Sequence, residues 1–387
     1  TLPREGHEPR RADGVRGGLR LPPHQDMLFV NEFAHKTGIR EEFAIVSFYD
    51  KQRRSRGFAM CNELSLDGDA PEHSRQMARE NMFHYVRPIA VDVPSFSTKV
   101  VDFVPPPGWT AMNPSIARNG DELYAIIRTV NYQIDGDGRY MIQGADGSVT
   151  GDNPIETRNY LARLNDDLSV FSAVEIQPPH NDPPPKWDLV RGFEDMRLFF
   201  LWGMSCFSAT VRDRNAGGVC QQVTGIIDDY RVTGLTVMSG EAQHEKNWMP
   251  WVVEDDLKFV YRLGEIFDHR SKLTTLHPVK YTVGHISGGS QVVPFRGGYL
   301  ALVHEARNKP GDYRRYYTHR FVWWDAEHRL QRLTKPFVFE DRQIEFCAGL
   351  CAHPTANQMI ISYSVRDAVA KFATVDNDEL ADMLFHG

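Results

Sequence analysis

The residues best suited to chemistry lie in the charged segment Glu194-Asp195-Met196-Arg197, which leads into the apolar run Phe199-Phe200-Leu201-Trp202. The pKa of the Asp195 carboxyl group can be shifted in either direction, because burial and the neighbouring Glu194 raise it whereas Arg197 lowers it. Asp195 is therefore the candidate general acid. The alternative is a structural ion pair in which Asp195 and an arginine join two sheets.

Two cations form a second candidate group, Lys246 followed by Asn247, and Arg262 at the end of a predicted strand. They would suit phosphate or another oxyanion, since a guanidinium offers a planar fork of donors and an ammonium group a mobile charge. The plainer interpretation pairs Lys246 with Glu245 and Arg262 with Glu265 on the surface.

Other polar and aromatic residues follow or end predicted strands. His285 precedes a glycine pair, His304 and Asp367 end strands, and Tyr317 belongs to an aromatic group of the kind that binds sugar faces. Each also has an ordinary interpretation as a core histidine, a core ring or a turn aspartate. The histidines lack a compact ligand spacing, so we expect no metal site.

The same layout recurs along the chain, with a short polar or glycine-rich signature followed by a β-prone stretch. Such units cannot bury their own faces, so the repetition predicts an all-β, five-bladed β-propeller whose signatures meet at the axis. The five pairs are Asn113-Pro114-Ser115 with Leu123–Arg128, Glu194–Arg197 with Phe199–Trp202, Lys246-Asn247-Trp248 with Phe259–Arg262, Ser287–Ser290 with Tyr299–His304, and Cys347–Leu350 with Met359–Tyr363.

Three regions are predicted along the chain. Residues 1–25 are rich in Arg, Gly and Pro and predict a flexible arm. Residues 26–100 predict an N-terminal extension that packs on the propeller or closes its last blade, with a strand over Glu42–Tyr49 and a helix over Ser74–Tyr85. Residues 101–387 predict the catalytic propeller and end in a short helix over Asn377–Phe385.

Composition narrows the possible partners. The net charge of -7 gives no support for nucleic-acid binding, and an uninterrupted apolar run long enough to span a membrane is lacking. Five cysteines in 387 residues indicate reduced thiols and a cytoplasmic protein, with Cys347 and Cys351 expected to be buried. A homo-oligomer or a fusion to another domain stays open.

Taken in order, these segments resemble the five-bladed propeller family of β-mannoside phosphorylases and hydrolases, together with the related mannosyltransferases. The resemblance covers roughly residues 105–375. The family's Glu-Asp-Pro-Arg signature resembles Glu194–Arg197, and its strand ending in Tyr-His-Gly resembles Val303-His304-Glu305. Its Gly-Ala-Ala-Asp strand end resembles Ser364–Asp367, and its upstream Asn-Pro segment resembles Asn113-Pro114.

The resemblance implies a role for each matching residue. Asp195 would be catalytic, and the substrate-binding residues would be Asn113, Arg128, Glu194, Arg197, His304 and Glu305. The phosphate-binding residues would be Lys246, Asn247, Arg262, His285, Tyr317 and Asp367. The chain departs from the family where Met196 replaces proline, His285 replaces lysine and Gly288-Gly289-Ser290 replaces a glycine-proline turn, which leaves the sugar and the phosphate open.

The implied reaction transfers a mannose-like unit with inversion between a β-glycoside and phosphate, in either direction. An oligosaccharide or a sugar phosphate would be the partner, and inorganic phosphate or sugar phosphate would be the co-substrate, without a further cofactor. Phosphate is already anionic and needs only cations, whereas attack by water would need a carboxylate base such as Glu245 or Glu305. The alternatives are a hydrolase, a nucleotide-sugar glycosyltransferase with a metal held by Asp255-Asp256, and a non-catalytic carbohydrate-binding propeller.

Overall fold

The computed structural model describes residues 33–309, 311 and 314–387 of the chain. The predicted arm and the beginning of the extension lie outside this part. Strands predominate over helices in the described residues, which confirms the all-β class. No helix among them is long and apolar enough to cross a membrane. The helices are α1 Ile39–Val46, α2 Arg54–Leu66, α3 Glu72–Tyr85 and α4 Asn377–Phe385, with helical turns at Ala34–Gly38, Ser47–Tyr49 and Ile89–Val91.

The strands run almost continuously from residue 97 to residue 376. The first thirteen are β1 Ser97–Val100, β2 Thr110–Asn119, β3 Glu122–Val130, β4 Tyr132–Ile134, β5 Tyr140–Gln143, β6 Val149–Thr150, β7 Ile155–Leu164, β8 Val170–Glu175, β9 Val190–Arg191, β10 Glu194–Leu201, β11 Met204–Val211, β12 Gln221–Asp228 and β13 Arg231–Val237. The remaining twelve are β14 Met249–Val253, β15 Asp256–Arg262, β16 Glu265–Asp268, β17 Thr274–Leu276, β18 Ser287–Gly288, β19 Val293–Phe295, β20 Gly298–Asn308, β21 Arg315–Trp324, β22 Leu330–Leu333, β23 Glu345–Ala352, β24 Gln358–Val365 and β25 Val369–Asp376.

These strands form five sheets of four or five strands, in chain order, and one small sheet. The first sheet contains β2, β3, β7, β8 and β9; the second contains β10–β13, the third β14–β17 and the fourth β18–β22. The fifth contains β23–β25 and takes β1 as its outer strand, so it joins segments from both ends of the strand region. The small sheet, β4–β6, interrupts the first.

The first sheet buries both of its faces, as its strand β3 illustrates. Its residues Ala125 and Ile127 pack with Phe372 of the fifth sheet, whereas Ile126 packs with Phe207 of the second. Successive side chains of a strand point to opposite faces, so an uninterrupted apolar run serves two neighbours at once. Full burial of one such side chain contributes about 1.5–3 kcal/mol.

The first strands of the five sheets, β2, β10, β14, the β18–β19 segment and β23, are called the inner strands, and side-chain hydrogen bonds join all of them except β14. The Ser115 hydroxyl accepts a hydrogen bond from the Leu198 amide at 2.9 Å and donates one to the Ala348 carbonyl at 2.8 Å. The Gln291 side chain likewise donates to the Ile116 carbonyl at 2.6 Å and accepts from the Leu350 amide at 3.1 Å. Residues from four sheets therefore meet within hydrogen-bonding distance.

The predicted strand over Glu42–Tyr49 is wrong, because this segment forms α1 and a helical turn. Two glutamates lie in the first turn of α1, where the helix dipole favours negative charge. Phe43, Ala44 and Val46 are buried, and the Tyr85 hydroxyl of α3 donates to the Ala44 carbonyl. Packing between helices overrides the β-propensity of these residues.

The two other predicted helices are confirmed, since α4 has the expected bounds and α3 begins at Glu72 instead of Ser74. The cysteines are free thiols, and both Cys347 and Cys351 are buried, as predicted. Burial raises the pKa of each of these two thiols to about 12, so they are protonated and unreactive.

Candidate active site

Asp195 lies in a bulge at the beginning of β10. Glu194 pairs with Thr210 and Arg197 pairs with Ser208, so the register slips between the two pairs. Asp195 has a φ of 50°, in the left-handed region that aspartate tolerates better than most residues because its short polar side chain bonds locally. A bulge of this kind changes the direction of a side chain at the end of a strand.

The same backbone conformation recurs at three more residues of the predicted site. Asn113 has a φ of 42°, Asn247 of 64° and Asp367 of 50°. Asn113 lies at a bulge in β2, Asn247 just before β14 and Asp367 just after β24. Residues in sparsely populated regions of φ and ψ are often found at functional sites. Here these four polar residues belong to, or directly adjoin, strands of four different sheets.

The Asp195 carboxylate is held by residues of the first sheet. Its Oδ1 accepts a hydrogen bond from Asn113 Nδ2 at 2.8 Å and from Arg128 Nη1 at 2.6 Å. The Ser364 hydroxyl donates to Asn113 Oδ1, which fixes the amide with its nitrogen towards Asp195. The Asp195 side chain keeps 21% of its surface exposed, whereas that of Arg128 keeps 7%. One face of the carboxylate is thus open to a ligand.

Arg197 is fully buried and directs its donors at protein atoms. Its Nε donates to the Gly289 carbonyl at 2.5 Å, its Nη2 to Asn247 Oδ1 at 3.1 Å and its Nη1 to the Asp195 carbonyl at 3.3 Å. Burial lowers the pKa of Arg197 to about 10, against the opposing effect of the Asp195 charge. The arginine that binds the Asp195 carboxylate is therefore Arg128, and Arg197 holds three sheets together behind it.

Three carboxyl groups near this point have pKa values displaced in different directions. Burial alone would raise the pKa of Asp195, but the charge of Arg128 and the hydrogen bond from Asn113 lower it below its usual value. Burial raises the pKa of Glu194 despite the charge of Arg128. Burial also raises the pKa of Asp367 to about 6. Such divergent environments are typical of acid–base sites, and Asp195 is the one of the three whose pKa is lowered.

His304 lies in an aromatic environment. Its ring stacks on Tyr317 with 5.4 Å between centroids and meets the edge of Phe346 at 5.2 Å. Burial lowers the pKa of His304 to about 3, and the charges of Arg197 and Lys246 add to this effect. The imidazole is therefore neutral at pH 7 and can offer a ligand a hydrogen bond, but no charge.

Lys246 is exposed and interacts electrostatically with Glu194 and His304. The neighbouring Glu245 is buried, and its carboxylate accepts hydrogen bonds from Tyr261 at 2.8 Å and Trp248 at 3.3 Å. Its two oxygens are thus engaged by residues other than the lysine beside it in sequence. Lys246 is the exposed cation of the candidate site.

Arg262 lies outside this cluster. Its side chain is 57% exposed, 3.6 Å from Glu265, and donates to the Tyr261 hydroxyl at 3.3 Å. This is the surface pair that the sequence offered as the plainer interpretation. A pair so exposed contributes little to stability.

His285 and Glu305 belong to another ion cluster. His285 Nε2 lies 3.5 Å from the Glu305 carboxylate, and Nη1 of Arg79, from α3, lies 3.5 Å from Nδ1 of the same imidazole. The Glu305 carboxylate also accepts hydrogen bonds from Arg320 at 3.0 Å and Arg307 at 3.1 Å. Because neighbours on a strand point to opposite faces, Glu305 faces away from the side that His304 faces. Burial opposes ionisation of Glu305, but Arg320, His285 and Arg307 hold its pKa well below the usual range.

Sequence reasoning did not single out Tyr132, Tyr140, Phe346 and Ser364. Their contacts with the predicted residues depend on strand register and on the position of the small sheet β4–β6. Residue types alone reveal neither of these. Ser364 was the most accessible to prediction, since it belongs to the strand end that resembles the family motif. Among the residues that the structure describes, no group of three His, Cys, Asp or Glu is arranged to hold a metal ion.

No family model and no curated protein match the sequence, but many solved structures match the fold. The β-1,2-mannobiose phosphorylase from Listeria innocua, solved with β-1,2-mannobiose, superposes with a TM-score of 0.52 and 14% identity over 78% of this chain and 99% of its own. The resemblance holds in the fold. The similarity inferred from the motifs is thus confirmed, and at this identity it establishes the fold alone.

Two structures from Leishmania mexicana are more distant. A mannose phosphorylase solved with a phosphate ion has a TM-score of 0.47 and 12% identity, over 75% of this chain and 91% of its own. A GDP-Man-dependent mannosyltransferase has a TM-score of 0.45 and 10% identity, over 72% of this chain and 90% of its own.

Proposed function

We propose that this chain is a carbohydrate-active enzyme on a five-bladed β-propeller, which transfers a mannose-like unit with inversion between a β-glycoside and phosphate. The observation that carries the proposal is the partly open Asp195 carboxylate, held by Asn113 and Arg128 where the inner strands meet. Oligosaccharides and sugar phosphates would be its substrates.

The radial arrangement is supported by a cavity of about 450 Å³ at the opposite end of the inner strands. It is lined by one residue or more from each of the five sheets, including Ala117, Phe199, Val252, Val293 and Leu350. Five strands that surround one cavity and carry polar residues at their other ends fit the axis of a propeller.

The protonation state of Asp195 matches the synthetic direction. As an ionised carboxylate it can accept the proton of an acceptor hydroxyl while the acceptor oxygen bonds to the anomeric carbon of a sugar 1-phosphate. The bond from that carbon to the phosphate oxygen breaks, and phosphate leaves with the electron pair. In phosphorolysis the same steps run backwards, and a protonated Asp195 gives its proton to the glycosidic oxygen.

Phosphate needs positive charge and donors, which the site supplies. Lys246 offers an exposed ammonium group, and Arg128 Nε has no hydrogen-bond partner within the described residues. Asn247 stays in the proposed phosphate set because it adjoins Lys246, and Asp367 because it interacts electrostatically with Arg128. Tyr317 stays in it because it interacts with Asp367. Arg262 and His285 are omitted from it, because their contacts lie elsewhere.

The groups that the sequence offered for the two rival reactions are engaged in other contacts. A hydrolase would need a free carboxylate as base, but Glu245 and Glu305 are both engaged in hydrogen bonds and ion pairs. A metal-dependent nucleotide-sugar transferase would need acids at the site, but Asp255 and Asp256 lie at the far end of β14 from Asn247, and Asp256 pairs with Arg270 at 2.7 Å.

The test is incubation with mannose 1-phosphate and a panel of acceptor sugars, followed by measurement of released phosphate. We expect release that depends on the acceptor. The reverse assay supplies β-1,2-mannobiose and phosphate and detects mannose 1-phosphate. Phosphate-independent cleavage of a β-mannoside, or no turnover in either assay, would contradict the proposal.

A further inference from the structure

The small sheet β4–β6 extends from the strand that carries Arg128. Its first strand begins two residues after β3 ends, and its root is fixed by Asn131, whose carbonyl accepts from the Gln143 amide at 2.7 Å and whose Nδ2 donates to the Gln143 carbonyl at 2.8 Å. Met112, the residue before Asn113, packs in the core of this small sheet. The excursion is therefore tied to the backbone of the candidate active site.

Two tyrosines of this sheet pack against each other with their ring planes steeply inclined. Tyr132 is buried, and its hydroxyl lies 3.8 Å from the sulfur of Met112. Tyr140 covers it, with 5.0 Å between ring centroids and 64° between ring planes. The Tyr140 residue is 44% exposed, and its phenol interacts electrostatically with Asp367 and Arg128. Tyr140 thus presents a supported aromatic face beside the acidic cluster.

One orientation of a two-sugar ligand matches the difference in depth between Asp195 and Tyr140. The sugar that reacts must bring its anomeric carbon to Asp195, so it fills the deeper part of the site, where Arg128 is buried and Asp367 is partly buried. The second sugar then extends towards the rim. Sugars present an apolar C–H face, and a large, rigid ring at an exposed edge buries that face at little entropic cost.

We propose that Tyr140 is the platform on which the acceptor sugar stacks, and that it therefore sets acceptor affinity and preference. This inference rests on the proposed glycosyl transfer. Tyr132 acts as a positioning residue that holds the Tyr140 ring at its angle. The small sheet is thus a specificity element added to the first sheet.

The test compares Tyr140→Ala and Tyr140→Phe in synthesis from mannose 1-phosphate with mannose as acceptor. Tyr140→Ala should raise the KM for mannose about tenfold or more and leave the KM for mannose 1-phosphate nearly unchanged, a change that corresponds to about 1.4 kcal/mol. Tyr140→Phe keeps the ring and should resemble the wild type. Tyr230→Ala is the matched control, an exposed tyrosine between β12 and β13.

An unchanged acceptor KM, or an equal loss for donor and acceptor, would overturn the inference while leaving the proposed function intact. If the wild type turns over no sugar phosphate, the proposed function fails, and titration with β-1,2-mannobiose monitored by tryptophan fluorescence decides the platform separately. Binding that Tyr140→Ala abolishes and Asp195→Asn retains supports it. Equal binding by both variants, or no binding by the wild type, contradicts it.

Discussion

Asp195 is ionised because its neighbours lower its pKa more than burial raises it. Its chemistry therefore depends on residues from another sheet. Arg128 supplies the charge, and Asn113 supplies a donor whose orientation Ser364 fixes. In the proposed reaction, the ionised carboxylate would accept the proton of the acceptor hydroxyl. A purely structural ion pair would need neither the fixed amide nor the exposed face of the carboxylate.

Substitution Asp195→Asn should lower kcat by about 10²–10⁴-fold, because the amide cannot carry the proton. Sugar binding should persist, since an amide oxygen can still accept from Asn113 and Arg128. The measurements are phosphate release and mannobiose titration, with circular dichroism to verify folding. The exposed Asp121→Asn variant is the control. Retained turnover would assign Asp195 a structural role.

His304 should make stability depend on pH. Its pKa is lowered to about 3 in the folded protein by burial, whereas an unfolded histidine titrates near 6.5. Below about pH 6.5 the unfolded state therefore binds a proton that the folded state does not, and the free energy of unfolding falls as pH decreases, by up to about 1.4 kcal/mol per pH unit.

The variant His304→Gln should therefore show a shallower loss of unfolding free energy between pH 6 and pH 4, measured by urea denaturation. His180→Gln, at an exposed turn, should retain the slope of the wild type. If His304→Gln and the wild type have the same slope, the imidazole does not stay neutral in the folded protein.

At the scale of elements, bulges and turns bring polar residues out of strands that are otherwise apolar on both faces. β10 shows this directly, because Asp195 bends out at the bulge while Met196 and Leu198 return to the core with Phe207. The bulge needs an anchor, and Arg197 provides it through bonds to the third and fourth sheets. The buried Arg197 side chain therefore links the bulge that positions Asp195 to the two neighbouring sheets.

Substitution Arg197→Met should lower the free energy of unfolding by about 3 kcal/mol, because the Gly289 carbonyl and Asn247 amide oxygen lose their buried donors. Arg262→Met, at an arginine that is 57% exposed, should change it by less than about 0.5 kcal/mol. Urea denaturation measures both. Equal effects of the two substitutions would show that Arg197 anchors nothing.

At the scale of the whole molecule, the first sheet depends on two neighbouring sheets because both of its faces are apolar. One core lies between the first and second sheets, and another lies between the first and the fifth. The fifth sheet includes β1 from before the first sheet, so strands distant in sequence complete it. We expect the strand region to unfold cooperatively for this reason.

Substitution Ser115→Ala should test that connection. The hydroxyl bonds to the second and fifth sheets from the first and is fully buried, so its loss should lower the free energy of unfolding by about 1–3 kcal/mol. Ser172→Ala, on the exposed side of β8, should be nearly neutral. Differential scanning calorimetry should still show one transition for both variants. Separate transitions would contradict the cooperative unit.

Much of the fold could be predicted because strand-forming runs and helix signals are local. The stretches ending at Arg128 and His304 lie in β3 and β20, and the helix over Asn377–Phe385 has its predicted bounds. The segment Glu42–Tyr49 misled the prediction because β-prone residues there serve the buried side of a helix. The β-propensity of a segment is overridden where the residues that pack against it, such as Tyr85, lie far away in sequence.

The sequence by itself determined that Asp195 lies near both an acid, Glu194, and a base, Arg197. It also determined that short polar segments alternate with strands, because both are properties of residues close together in the chain. Only the tertiary structure decided which arginine meets the carboxylate. Arg197, two residues away, turns inward to hold the sheets, whereas Arg128 arrives from the first sheet. A one-residue step along a strand reverses the face of a side chain, so register decides that His304 joins the site and Glu305 does not.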